Sequence, residues 1–147
     1  MNNDGEIPGS KAVDADSLSS LALAFVGDAV FNLFVRTMLV GSGKKVRDLH
    51  RDSIKFVKAS AQADILRKIE GYLTDIEKNI VRVARNTKVN TVPKNADIMD
   101  YHYSTGFEAL LGYLYLTGQN ERLNKILMAS FKLLSSPISD AGGLISD

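Results

Sequence analysis

Apolar residues recur along the chain at intervals of three and four, and runs with the strict alternation of a half-buried strand are absent. This periodicity predicts helices over 17–39, 45–69 (broken once or twice), 74–86, 98–117 and 119–135, which makes the fold all-α. Polar stretches flank them. Residues 1–16 read as a polar N-terminal extension, 17–135 as one domain, and 136–147, "SPISDAGGLISD", as a flexible tail. A chain of 147 residues with 45% hydrophobic composition is long enough for one substantial core.

Two of the helices break their own pattern. "LALAFVGDAVFNLFVR", Leu21 to Arg36, carries Asp28 on a stripe with Leu21, Ala24, Phe25, Phe31, Asn32 and Val35. Its opposite face, with Leu23, Val26, Val30 and Leu33, is apolar too, so the helix reads as central and Asp28 as lying in or beside the core. Gly27 gives up about 1 kcal/mol of helix propensity relative to Ala, a sacrifice that makes sense where another backbone or a ligand approaches closely. "YHYSTGFEALLGYLYL" repeats the anomaly, with Glu108 as its single acid and Gly106 and Gly112 beside it. An ionised carboxylate taken out of water costs several kcal/mol unless it is compensated. Two that face each other repel unless a divalent cation, typically Mg²⁺, or a shared proton lies between them. Arg36 is a further candidate counter-charge for Asp28.

Charge changes the picture because it is unevenly spread. The net charge is only +1, yet residues 44–94 hold 13 Lys and Arg against 6 Asp and Glu, while the remainder holds 5 against 11. A basic middle between acidic ends points to a polyanion on one surface. Within it, Arg47, Arg51, Lys55 and Lys58 fall on one helical stripe, and Lys78, Arg82 and Arg85 on another. The first stripe serves equally well as a solvated helix face, with Asp48 and Asp52 alongside. The segment "NTKVNTVPKNAD" then presents Asn86, Lys88, Asn90, Lys94 and Asn95 in a polar loop interrupted by Pro93. Such side chains suit the phosphates and 2′-hydroxyls through which duplex RNA is read. No aromatic platform interleaves them, which argues against a single-strand binder.

Several classes of chemistry drop out. With no cysteine there are no disulfides, no thiolate zinc site and no cysteine nucleophile, and a reducing compartment is compatible. The first residues lack the basic start and apolar core of a signal peptide, so no membrane partner and a cytoplasmic location are expected. His50 and His102 are isolated and lack metal-ligand spacing, although His102 stands on the Glu108 helix. Phosphate-binding glycine loops and the G-x-S-x-G elbow are missing.

The two acid-bearing segments resemble the signature helix of the ribonuclease III superfamily and the helix that carries its second acidic cluster. "DLHRDSIKFVKASAQADIL" and "RVARNTKVNTVPKNADIMDYHYSTGFEALLGYL" are similar to Mini-III, the short bacterial branch of that family, and the likeness spans roughly residues 18–135. The resemblance implies a homodimeric helical endonuclease domain with Mg²⁺ as cofactor and Asp28 and Glu108 as its catalytic, metal-holding acids. It implies cleavage of double-stranded RNA to 5′-phosphate and 3′-hydroxyl ends, one strand per subunit. Phe25 matches an aromatic knob that enters a socket of the partner subunit. The implied substrate is large-subunit (23S) ribosomal RNA precursor, with a ribosomal protein as a helper. On this reading Arg47, Arg51, Arg82, Arg85, Asn86, Lys88, Lys94 and Asn95 are the expected RNA contacts.

Two departures qualify the likeness. Four residues before Asp28 the full-length enzymes carry glutamate, where this chain has Ala24; three before Glu108 they carry aspartate, where it has Thr105. Metal is therefore expected to bind weakly without RNA, with phosphate oxygens and waters completing its shell. No double-stranded-RNA-binding domain follows in the sequence, so duplex affinity is expected to be modest and salt-sensitive. The two missing acids keep open a second reading, a non-catalytic duplex-RNA-binding or ribosome-associated protein with the same fold.

Overall fold

The computed structural model describes residues 13–88, 91, 92, 94 and 96–135. The tail at 136–147, most of the N-terminal extension, and Asn90, Pro93 and Asn95 of the polar loop lie outside the described residues. Those described form helices and turns alone: α1 (Ser20–Val40), α2 (Val46–Val57), α3 (Ala59–Ile69), α4 (Asp75–Arg85), α5 (Ile98–Leu116) and α6 (Asn120–Ser135). The expected 45–69 helix breaks once, at Lys58, whose extended backbone (φ −63°, ψ 151°) ends α2 and starts α3.

Local chemistry sets the ends. The Ser19 hydroxyl accepts from the Ala22 N–H at 3.1 Å, and the Asp97 carboxylate accepts from the Asp100 N–H at 3.0 Å, each satisfying a donor in a helix's first turn. Thr74 and Glu77 form a reciprocal capping box at the start of α4. Glu77 then reaches across to α6, where two nitrogens of Arg122 donate to its carboxylate, each at 2.9 Å. Burial works against that charge, but the bonds from Arg122 and Thr74 together outweigh it and hold Glu77 below the usual carboxylate range.

Helix α5 is the centre of the molecule. α1 packs most extensively on it, and α3 and α4 flank it. Its Phe107, Leu110, Leu111 and Leu114 are fully buried against Phe31, Val35, Ile65, Leu66 and Ile126, with the Phe31 and Phe107 rings edge to face at 5.2 Å. A smaller cluster joins Leu23, Ala24, Ala84 and Ala109. Ala15, within the expected 1–16 extension, packs into this cluster from a short 3₁₀ turn. By length and composition α1 could span a membrane, but here Leu23, Ala24, Gly27, Phe31 and Val35 bury one side of it against the core.

Candidate active site

The centre is built by two glycines. A Cβ on Gly27 would collide with the Glu108 carbonyl and come within 2.9 Å of the Gly112 nitrogen; a Cβ on Gly112 would collide with the Leu23 carbonyl. The backbones of α1 and α5 therefore touch, which is the close approach that Gly27 suggested in the sequence. That contact sets the residue after Gly27 beside Glu108, and their carboxyl groups come within hydrogen-bonding reach.

The pair is electrostatically unbalanced. Burial, then the hydrogen bond and negative charge of Asp28, push the Glu108 carboxyl up to about 9. Either a proton on Glu108 or a cation between the two groups would offset that repulsion. Asn32, one turn along α1, donates its amide to the Asp28 side chain at 3.0 Å and to the Asp28 carbonyl at 2.8 Å, fixing the carboxylate's orientation. Asn32 shares Asp28's stripe in the sequence, and the i, i+4 spacing is the signal for this contact.

Two expectations need correction. Asp28 is exposed and not in the core; it is Glu108 that is half-buried and desolvated. Arg36 makes no ion pair with Asp28 among the described residues. The two positions where the resemblance implies an acid that this chain lacks are core positions: Ala24 is buried, and so is Thr105, whose hydroxyl donates to the Tyr101 carbonyl at 3.0 Å. No cluster of three His, Asp or Glu side chains able to hold a metal occurs among the described residues. The donor set still fits a hard divalent cation. Two adjoining carboxylates, one open to solvent and the other destabilised by its neighbour's charge, gain from a cation that replaces the shared proton.

The basic residues divide by what already holds them. Arg47, Lys88, Lys94 and Asn86 are exposed. Arg51 is exposed and paired with Asp48 at 3.1 Å, a surface pair worth about 0–1 kcal/mol that a phosphate can displace. Arg82 is exposed and bonds Asn79 at 2.7 Å. Arg85, also expected as an RNA contact, lines the groove at the end of α4 and is held by neighbours within the chain. It is half-buried, paired with Glu70 at 3.1 Å, and its guanidinium lies 4.9 Å from the centre of the Tyr103 ring, which Arg67 also approaches at 4.6 Å. Asn95 lies outside the described residues.

Lys88 and Asn86 line a groove of about 650 Å³ between the end of α4 and the start of α5, together with Met99, His102 and Tyr103. Lys94 and Lys58 line another, of about 390 Å³, with Asp97 and Asp100. On α1, Phe25 is 81% exposed, and Leu21, Leu33 and Val40 are exposed as well.

The ribonuclease III domain model matches residues 21–119. Mini-ribonuclease 3 of Thermoanaerobacter sp. is 50% identical over 119 residues, 80% of this chain and 84% of its own length. That of Symbiobacterium thermophilum is 49% identical over 115 residues, covering 78% and 88%, and that of Clostridium tetani is 41% identical over 131, covering 88% and 87%. A crystal structure of a Fusobacterium nucleatum protein, 33% identical, matches the fold with a TM-score of 0.74 over 79% of this chain and 93% of that one. The domain match, the fold and these relatives agree: the chain belongs to the ribonuclease III family, in its Mini-ribonuclease 3 branch.

Proposed function

We propose that the protein is a Mg²⁺-dependent endoribonuclease that cuts double-stranded RNA and acts in maturation of the large-subunit ribosomal RNA precursor. The observation that carries the chemistry is the Asp28–Glu108 pair at the glycine crossing, where a cation relieves a repulsion that otherwise traps a proton. A cation held there supplies Lewis-acid activation of water and offsets charge building on the scissile phosphate and on the departing 3′ oxygen. Asp28, open to solvent and steadied by Asn32, would be one of the two residues to hold the cation. Glu108, half-buried beside Asp28, would hold the same cation in its ionised form, so binding there would be linked to loss of the Glu108 proton. The Gly27–Gly112 contact keeps the two helices at one separation, so the carboxylates need no rearrangement.

Phe25 and the exposed apolar residues of α1 are the surface for a second copy, which would give one cut on each strand of a duplex. Lys88, Lys94, Asn86, Arg47, Arg51 and Arg82, all exposed, are the phosphate and sugar contacts, with Asn95 of the same loop. Bacterial relatives of this kind suggest a cytoplasmic enzyme, and a ribosomal protein bound to the precursor is a suitable helper.

The test is incubation of end-labelled RNA duplex and of its separated strands, with and without Mg²⁺. Metal-dependent cutting of the duplex to 5′-phosphate products is expected. Tight duplex binding with no cleavage at any metal concentration would instead establish the non-catalytic reading.

A further inference from the structure

The groove between the end of α4 and the start of α5 contains a histidine whose state the structure restricts. The His102 Nδ1 is closed off from solvent and has no hydrogen-bond partner. A proton on that nitrogen would be an orphan donor, which interiors tolerate less well than an orphan lone pair. Nε2 is not enclosed in this way and is the ring nitrogen available to a ligand in the groove that His102 lines. The neighbouring Tyr101 ring, 6.3 Å away and tilted by 67°, packs against the imidazole from the side. His102 thus has one ring nitrogen enclosed and the other available for a ligand.

The rest of the lining sorts by chemistry. Lys88 is an exposed cation suited to a phosphate, whereas Arg85 is committed to Glu70 and Tyr103. Asn86 adds a neutral amide that can both give and accept. Lys88, with Asn86 and His102 beside it, matches a ribose-phosphate unit better than a bare phosphate. Duplex RNA displays its 2′-hydroxyls in a shallow minor groove that side chains can reach. His102 lies six residues before Glu108, about 9 Å along α5 and about a third of a turn around it. It therefore meets a nucleotide away from the scissile bond.

We propose that His102 is a specificity residue whose Nε2–H donates to the 2′-hydroxyl oxygen of one nucleotide held in the groove, so that the protein recognises RNA and not DNA at this point. The proposal rests on the duplex-RNA reading above and adds to it a defined contact.

The test couples two variants to a substrate scan. His102→Phe fills the ring's space without a donor, and His102→Gln restores an N–H near the Nε2 position. Binding is measured without divalent metal, on RNA duplexes carrying a single 2′-deoxy substitution at each position in turn. Wild type is expected to show a position where the deoxy substitution weakens binding about threefold to tenfold, the range of one net hydrogen bond. His102→Phe should bind the all-RNA duplex more weakly by the same factor and be insensitive at that position, while His102→Gln recovers the sensitivity. With Mg²⁺ present, His102→Phe should raise KM and leave kcat unchanged. If wild type cuts the duplex but its deoxy profile is shared by His102→Phe, the proposal is overturned and the duplex-RNA reading stands. If wild type neither binds nor cuts duplex RNA, both are overturned.

Discussion

Replacing Gly27 by Ala should damage stability and the candidate site together. The added Cβ would meet the Glu108 carbonyl inside van der Waals contact and lie 2.9 Å from the Gly112 nitrogen. Comfortable carbon contacts are nearer ~3.5–4.0 Å, so the two helices must part by on the order of 1–2 Å. The obstacle is backbone on both sides, which cannot turn aside as a flexible side chain would. Ordinary overpacking costs about 1–3 kcal/mol, and a backbone-to-backbone clash belongs at or above the top of that range. Better helix propensity returns about 1 kcal/mol, leaving a net loss of roughly 2 kcal/mol or more. For a domain of this size that corresponds to a fall in Tm of roughly 6–10 °C.

Parting α1 from α5 also parts Asp28 from Glu108, so Mg²⁺-dependent cleavage at a temperature where the variant is fully folded should drop by about tenfold or more. Gly71 is the control, because a Cβ there meets nothing within 4 Å. Urea and thermal unfolding of Gly27→Ala, Gly71→Ala and wild type, followed by cleavage assays on the same samples, read both effects. A Gly27→Ala protein as stable and as active as Gly71→Ala would refute the claim that the glycine crossing builds the site.

Three further outcomes follow from other contacts. Arg122→Ala leaves Glu77 buried without its counter-charge and should cost about 3 kcal/mol in urea unfolding. Because Glu77 is held below its usual value of 4.5, its contribution is present above that pH and lost as pH falls through the native value, so the variant should show a weaker acid dependence than wild type. Glu108 has the opposite sign. The stability from its retained proton is full below about 4.5 and is lost as pH rises toward about 9, so metal-free protein should weaken across that window. Mg²⁺ should counter this trend, Glu108→Gln should remove it, and equal pH slopes for wild type and Glu108→Gln would contradict the assignment. Lys88→Ala with Lys94→Ala should weaken binding to all duplex sequences and reduce the salt slope by about one per lost phosphate contact, with turnover at saturating RNA largely retained.

The helices were legible because each buries a periodic apolar face, and their observed limits fall within a few residues of the pattern's. The break in the 45–69 helix was expected without a position, since no glycine or proline marks Lys58 and the chain simply takes one extended residue there. Asp28's exposure was hidden for a different reason. A helix apolar on every side reads as central, but α1 leaves Phe25, Leu33 and Val40 uncovered in the single chain, so all-round hydrophobicity did not mean all-round burial. The proximity of Asp28 and Glu108 was suggested by the glycines beside them, because only a close helix crossing makes sense of glycine at those points. The partners of Arg85 and Arg122 lie 15 and 45 residues away in sequence, and no local pattern announces which carboxylate a basic side chain will find.

The most direct test of the central claim is cleavage of labelled duplex RNA by wild type, Asp28→Asn and Glu108→Gln across a Mg²⁺ series, with helix content and oligomeric state measured on the same samples. Both changes nearly preserve shape while removing the charge a hard cation needs. Metal-dependent cutting by wild type and none above background by either variant is expected, with fold and assembly intact. Near-native cleavage by either variant would contradict the claim.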